Sequence, residues 1–416
     1  MNLKISSLKA REIIDSRGFP TVEASVKLEC GATGVASVPS GASTGTYEAI
    51  ELRDNNSKRY NGKGVLKAVE NVNNVISPTL LQYNYSDFIH ADRIISSIDG
   101  TDNFSSLGAN ATLSVSLALA KAHARAYSMP LYRYLGGTFG NKLPVPMMNI
   151  INGGAHASNN IDIQEFMIVP IGFDSFREML RVGCEIYQAL KQLLKNEGFS
   201  VAVGDEGGFA PDFENEEEAL DFIIKAINRA GYSTEKVKIA LDIASSEWWC
   251  TEGGYFLPKA KERLLSIDLI DRWVKLCNKY PIISIEDPLG EHDFDGWVEI
   301  TKKLGDKVML VGDDLFVTNR QRLQHGVDMK MGNSILIKPN QIGSLSKTLD
   351  VIRLANSNGY KTIISHRSGD TDDTSIADIG VAVNADFIKS GAPCRMERVS
   401  KYNRLLKIEE EIKQIK

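Results

Sequence analysis

The chain has 416 residues, 43% of them hydrophobic and 24% charged, with a formal net charge of −5. That length accommodates a large core and two domains, and the mildly acidic balance excludes a broad basic surface for nucleic acid. Five cysteines (Cys30, Cys184, Cys250, Cys277 and Cys394) form no CxxC pair, which points to reduced thiols in a cytosol rather than a disulfide framework.

The opening MNLKISSLKARE lacks the apolar core of a signal peptide. Residues up to about Ala36 read as short strands. In TVEASVKLE, Val22, Ala24, Val26 and Leu28 alternate onto one face, and Gly31 and Gly34 punctuate the turn that follows. VPSGASTGTYEAIELRD comes next. Its small and hydroxyl residues suit a mobile loop whose oxygens could ligate a hard cation, and equally a glycine-rich hairpin turn. From Lys63 to Tyr127 the pattern is helical, with Leu113, Leu117, Ala120 and Ala124 on one face and many small residues for close packing. The most apolar part, around 111–120, is broken by Ser114, Ser116 and Lys121 and is too short to span a membrane, so no membrane insertion is expected. Strands followed by helices predict an α+β domain over residues 1–136, ended by the GGTFGNKLP boundary, and a second domain over 137–416.

The second domain opens on PVPMMNIINGGAHASNNIDIQEFMIVP, two apolar runs flanking a loop with His156. The second run presents Gln164 and Glu165. A helix is predicted over 176–196, with Met179, Leu180, Ile186, Leu190 and Leu193 inward. VAVGDEGGFAP then sets Asp205 and Glu206 between glycines, a turn calling for positive φ at Gly207 or Gly208. The acidic run ENEEEALDFIIKAINRAG reads as a solvated helix start. Asn215 and Glu218 make a capping-box-like pair before a stripe of Leu220, Ile223, Ile224 and Ile227.

From there one event repeats. VKIAL ends on Asp242, PIISI on Glu286-Asp287, VMLVG on Asp313-Asp314, SILI on Lys338, KTIIS on His366-Arg367 and ADFI on Lys389. Helical segments separate these runs, which predicts a parallel sheet closed into a βα barrel with the ionisable residues at its mouth. Any single acid is as readily a helix cap. A succession that includes two lysines, which cap poorly, marks a site. Asp242, Glu286 and Asp313 suit a hard, oxygen-preferring ion such as Mg2+, which also relieves their mutual repulsion. Lys338 and Lys389 share the mouth, and beside a dication their proton affinity is expected to fall, as a base requires. Arg367 and Ser368 suit a phosphate. Together these groups predict proton abstraction next to a carboxylate, with the metal stabilising the enediolate.

The blocks SGASTG, NIINGGAHA, QEFM, GDEGGFAP, LDIASSE, IEDPL, VGDDLFVTN, ILIKPNQIG, SHRSGDTDDT and IKSGAP, with KYNRLLKIEEE near the end, strongly resemble the enolases, the phosphopyruvate hydratases of glycolysis. VGDDLFVTN and IEDPL look closer to bacterial-type members. The resemblance implies an N-terminal α+β domain on a modified (β/α)8 TIM-like barrel whose first units depart from strict alternation. It implies interconversion of 2-phospho-D-glycerate with phosphoenolpyruvate and water. Position by position, it implies Lys338 as the base at C2 and Glu206 as the acid for the C3 hydroxyl, with Glu165 beside it. Asp242, Glu286 and Asp313 would hold a first Mg2+. A second Mg2+ would arrive with substrate, bridged by its phosphate and by Ser40. Arg367 and Ser368 would grip the phosphate, Lys389 and Gln164 would hold the substrate, and His156 and His366 would line the closed site. The family further implies a homodimer or octamer and a cytoplasmic location. Some members have a second role at cell surfaces through a C-terminal lysine, here Lys416. Phe19, Tyr47, Phe104, Lys347, Ser390 and Met396 depart from the family's usual residues; Tyr47 would bear on lid closure and Met396 on subunit contacts.

Overall fold

The computed structural model describes residues 2–41, 45, 47–83 and 87–415. Ala42, Ser43 and Thr44 of the SGASTG lid, and Lys416, therefore lie outside the described residues. The N-terminal part is built on an antiparallel sheet in the order β1 (Ile5–Ile14), β2 (Pro20–Leu28), β3 (Thr33–Ser37). Alternation turns Val22, Ala24, Val26 and Leu28 inward, and all four are fully buried. They face the helix Ala109–Ala126, which is buried on nearly every side rather than along the one predicted face. β2 and β3 cover one side of it, and the chain after Lys338 covers another. Thr112 Oγ1 donates to the Gly343 carbonyl (2.7 Å), and the Leu345 N–H donates to Ser116 Oγ (3.0 Å). Gly34, expected in a turn, lies inside β3, because a Cβ there would stand 2.0 Å from the Ala118 carbonyl oxygen.

The remaining strands are β4 (Val145–Asn152), β5 (Glu165–Pro170), β6 (Val237–Asp242), β7 (Tyr255–Leu257), β8 (Glu262–Leu264), β9 (Ile282–Glu286), β10 (Met309–Gly312), β11 (Ser334–Ile337), β12 (Lys361–Ser365) and β13 (Phe387–Lys389). β7 and β8 pair as a separate hairpin. The other eight close into a barrel in the order β10-β11-β12-β13-β4-β5-β6-β9. Every barrel pair is parallel except the two made by β5, which runs antiparallel to β4 and to β6. Alternation of strand and helix alone leads to an all-parallel sheet; the departure in the first units that the resemblance implies falls at this strand. A parallel return needs a helical crossover, whereas the link from β4 to β5 carries only the short turn Gly154–His156.

The helices Phe176–Asn196 and Glu216–Arg229 form where predicted. Ser175 and Asn215 cap them by accepting the N–H of Glu178 and of Glu218. In the first helix the stripe is rotated from the predicted one: Val182, Ile186, Leu190 and Leu194 are buried, while Met179, Leu180 and Leu193 are half-buried. In the second, Leu220, Ile223 and Ile227 are buried and Ile224 is half-buried. Among the described residues, no helix is long and apolar enough to cross a membrane.

Candidate active site

A plug of apolar side chains fills the barrel. Met147 of β4, Met167 and Val169 of β5, Ala240 of β6, Val311 of β10, Leu336 of β11 and Ile363 of β12 form one buried cluster, with Phe387 of β13 packed against it. Side chains on a strand return to the same face every second residue. Two steps further along therefore lie Asn149, Asp242, Asp313, Lys338, Ser365 and Lys389. On antiparallel β5 the step runs backward, from Met167 to Glu165. Glu286 of β9 joins them because it pairs in register with Asp242. A period of two, applied to eight strands, sets a ring of polar side chains above an apolar plug.

His156, Gln164, Glu165, Glu206, Asp242, Asp313, Lys338, His366, Arg367, Ser368 and Lys389 all line one cavity at that end of the barrel. Glu286 stands behind the wall, both carboxylate oxygens on the Lys389 ammonium (2.9 and 3.0 Å). Ser40 is not brought in. Its hydroxyl donates to Glu51 (3.0 Å) and accepts from Arg53 (2.9 Å), which leaves one lone pair on that oxygen, and its backbone pairs with Gly369.

Lys389 binds Glu165 (3.1 Å), Asp242 (2.8 Å) and Glu286 (2.9 Å), and these three carboxylates outweigh burial to hold its ammonium well above the usual lysine range. Lys338 forms an ion pair with Asp313, which likewise outweighs burial and raises the lysine. The lowered lysine proton affinity expected from the sequence is therefore absent from the protein's own charges. Burial, then the neighbouring Glu206, push Glu165 well above the carboxylate range. Glu206 goes the other way: burial opposes its charge, but His366, whose ring donates toward it, and the Arg398 guanidinium outweigh burial. A proton entering this pair therefore goes to Glu165 before Glu206. His366 is pushed down to about 4 by burial, so it meets Glu206 as a neutral ring, Nε2 lying 3.5 Å from Oε2.

The phosphate-grip candidates sit where the two parts of the chain meet. Arg367 is held by Glu48 through Nη1 (3.1 Å) and Nη2 (3.2 Å). Ser368 Oγ accepts from Arg17 (3.3 Å). Lys338 is aimed from behind: its N–H donates to Thr318 Oγ1 (2.9 Å), and Thr318 in turn donates to Gln341 (2.8 Å). Val317 and Thr318 hold φ of 43° and 50°, which is costly for β-branched residues and maintained here by those bonds. Gly207, not Gly208, takes the positive φ (88°) beside Glu206. Glu48, Gln341 and Arg398 carry no mark of their roles in the sequence, since none ends an apolar run and their partners are distant in the chain.

Two family models match the chain: the enolase N-terminal domain over residues 5–135, and the enolase C-terminal TIM barrel domain over residues 140–415. The chain belongs to the enolase family. It is an enolase-type lyase with a TIM barrel and a separate N-terminal domain bearing a small sheet.

The donor set of this enolase fits a hard cation. Seven carboxyl side chains line the cavity (Glu165, Glu206, Asp242, Glu247, Asp287, Asp313 and Asp314) against three cations, Lys338, Arg367 and Lys389. The oxygens of Asp287, Asp313 and Asp314 lie within 4.8 Å of one another. Their crowding raises their proton affinity: burial and then Asp314 push Asp287 well above its usual range, and burial and then Asp313 push Asp314 up to about 7. A dication supplies the charge such a wall lacks.

Proposed function

We propose that this chain catalyses the reversible dehydration of 2-phospho-D-glycerate to phosphoenolpyruvate, as in glycolysis and gluconeogenesis. One observation carries the reading beyond the family. Lys338 ends β11 and Glu165 begins β5, and these strands stand four places apart in a ring of eight, so they face each other across the cavity. A base on one wall and an acid pair on the opposite wall suit an elimination in which hydrogen and hydroxyl leave from opposite faces.

In this reading Lys338 Nζ takes the C2 proton, and the C–H electrons move into the substrate carboxylate. They return to form the C2–C3 double bond as the C3–O bond breaks. The departing hydroxyl leaves as water with a proton from the Glu206–Glu165 pair, whose side chains are hydrogen-bonded. Arg367 and Ser368 bind the phosphate, Lys389 and Gln164 orient the substrate, and His156 and His366 border the acid pair. Held by Asp242, Glu286 and Asp313, Mg2+ would absorb the carboxylate charge that now retains the Lys338 proton and would neutralise charge building on the substrate carboxylate. A second Mg2+ is proposed to enter with the substrate. Ser40 would ligate it, together with the substrate phosphate, through the hydroxyl lone pair that Arg53 leaves open.

The test is turnover of 2-phosphoglycerate, followed by the ultraviolet absorbance of phosphoenolpyruvate, with and without Mg2+. Lys338→Ala is expected to fold and to lose about 10²- to 10⁴-fold in kcat. A folded, Mg2+-saturated protein that generates no absorbance would overturn the proposal. We further propose the domain division 1–136 and 137–416 and a homodimeric or octameric assembly in the cytoplasm, the assembly to be read by light scattering.

A further inference from the structure

We propose that Arg398 is a positioning residue of this site: it locks His366 in the tautomer that carries its proton on Nε2, and it pins the two loops that present Glu206 and Arg367. Arg398 lies in the first turn of the C-terminal helix Met396–Ile415 and is 0% exposed. Its guanidinium donates to the main-chain carbonyls of Arg367 and Ser368, and to that of Asp205 (3.4 Å). One Nη also meets His366 Nδ1 at 2.7 Å.

Arginine carries five donors and no acceptor, and it does not deprotonate in proteins. The contact at Nδ1 therefore requires a bare lone pair on that nitrogen. The single proton of the neutral ring is left on Nε2, 3.5 Å from Glu206 Oε2. His366 then presents an N–H to Glu206 and cannot accept a proton from it. Glu206 exchanges its proton with Glu165 and the cavity alone, which keeps the acid pair from draining into the ring. Asp370 (3.6 Å) and Glu397 (3.5 Å) balance the guanidinium, and Lys401 binds Asp370 from the next turn (3.0 Å). The same knot holds the segment after Lys389. Gly391 has φ of 71°, and a Cβ there would stand 2.7 Å from the Glu206 carbonyl oxygen and 3.1 Å from both Arg398 Cδ and His366 Cε1.

The kinetic part of the test rests on the dehydration proposed above; the tautomer part does not. Protein labelled with ¹⁵N-histidine contains six such rings, and His366 is the one missing from the spectrum of His366→Gln. The wild-type ring is expected to be bare at Nδ1 and protonated at Nε2. Arg398→Lys keeps a donor-only cation at Nδ1 and so keeps that tautomer. Arg398→Gln offers an amide oxygen, so it is expected to mix the tautomers and lower kcat about 10- to 100-fold, the range for removing an outer-shell partner, with KM changed less. A wild-type ring protonated on Nδ1 overturns the proposal even if neither variant folds. So does an Arg398→Gln enzyme with wild-type kcat, or activity that tracks melting temperature while the tautomer stays fixed. The expected tautomers in a protein that does not turn over 2-phosphoglycerate would instead sink the reaction and leave the positioning role standing.

Discussion

Replacing Lys389 by Met removes one charge and little volume from the centre of the ring. The side chain is 3% exposed and its ammonium touches Glu165 (3.1 Å), Asp242 (2.8 Å) and Glu286 (2.9 Å). At an effective dielectric of about 20, each contact is worth roughly 5–6 kcal/mol of attraction, or about 17 kcal/mol together. The variant cannot lose that much, because a stranded carboxylate takes a proton instead. For a glutamate of ordinary pKa, about 4.3, protonation at pH 7 costs about 3.7 kcal/mol. One charge removed calls for one proton, so Lys389→Met is expected to lose about 4 kcal/mol of unfolding free energy at pH 7, within the range for broken buried pairs. Glu165 and Glu286 are the acceptors, since burial already pushes both well above the usual range. The folded variant then holds a proton that its unfolded chain releases above about pH 4.3. Its deficit against wild type must shrink as pH falls, by about 1.4 kcal/mol per unit, leaving about 1 kcal/mol near pH 5. Urea unfolding of both proteins across this range measures it. A deficit below about 1 kcal/mol at pH 7, or one that does not change with pH, would refute the reasoning.

His123 is buried against Tyr134 and, like His366, is pushed down to about 4 by burial. The unfolded rings protonate near 6.5, so this stability is fully present above about pH 6.5 and lost as pH falls toward 4, by about 3 kcal/mol per ring. His123→Gln should flatten the acid limb of the melting-temperature profile by about half. Gly391→Ala combines a positive φ with overlap on the Glu206 carbonyl and is expected to cost about 1–3 kcal/mol, with kcat falling more than KM rises. Unchanged melting and turnover would show that the segment yields freely there.

The barrel mouth was legible because a strand has a period of two and its apolar run stops abruptly. Asp242, Glu286, Asp313, Lys338 and Lys389 each end such a run, and parity alone carries them to one face. The reversed strand was not legible from spacing: β5 has the same apolar composition as its parallel neighbours, and only the lack of a crossover helix before it tells them apart. Nor was the burial of Ala109–Ala126 on nearly every side legible, since the second surface against it comes from Gly343 and Leu345, 231 residues from Thr112 and 229 from Ser116. Arg398 was not legible either. It acts on carbonyls and on one ring nitrogen, and a helix-start arginine carries no mark of that in the sequence.

The charges on the wall bear on why substrate and metal would arrive together. Each cation there already has a carboxylate partner: Lys338 has Asp313, Lys389 has three acids, and Arg367 has Glu48. A phosphorylated acid entering alone would have to displace one of these pairs in a buried site, exchanging one ion pair for another at little net gain. It would also face an excess of seven carboxyl groups over three cations. A substrate that brings a dication would reverse that balance, because the metal replaces Lys338 at Asp313 and Lys389 at Asp242 and Glu286 with a larger positive charge. The cation and the phosphate of the proposed substrate would then bind as one unit, and the reluctance of the wall toward a bare anion would tie affinity to the metal.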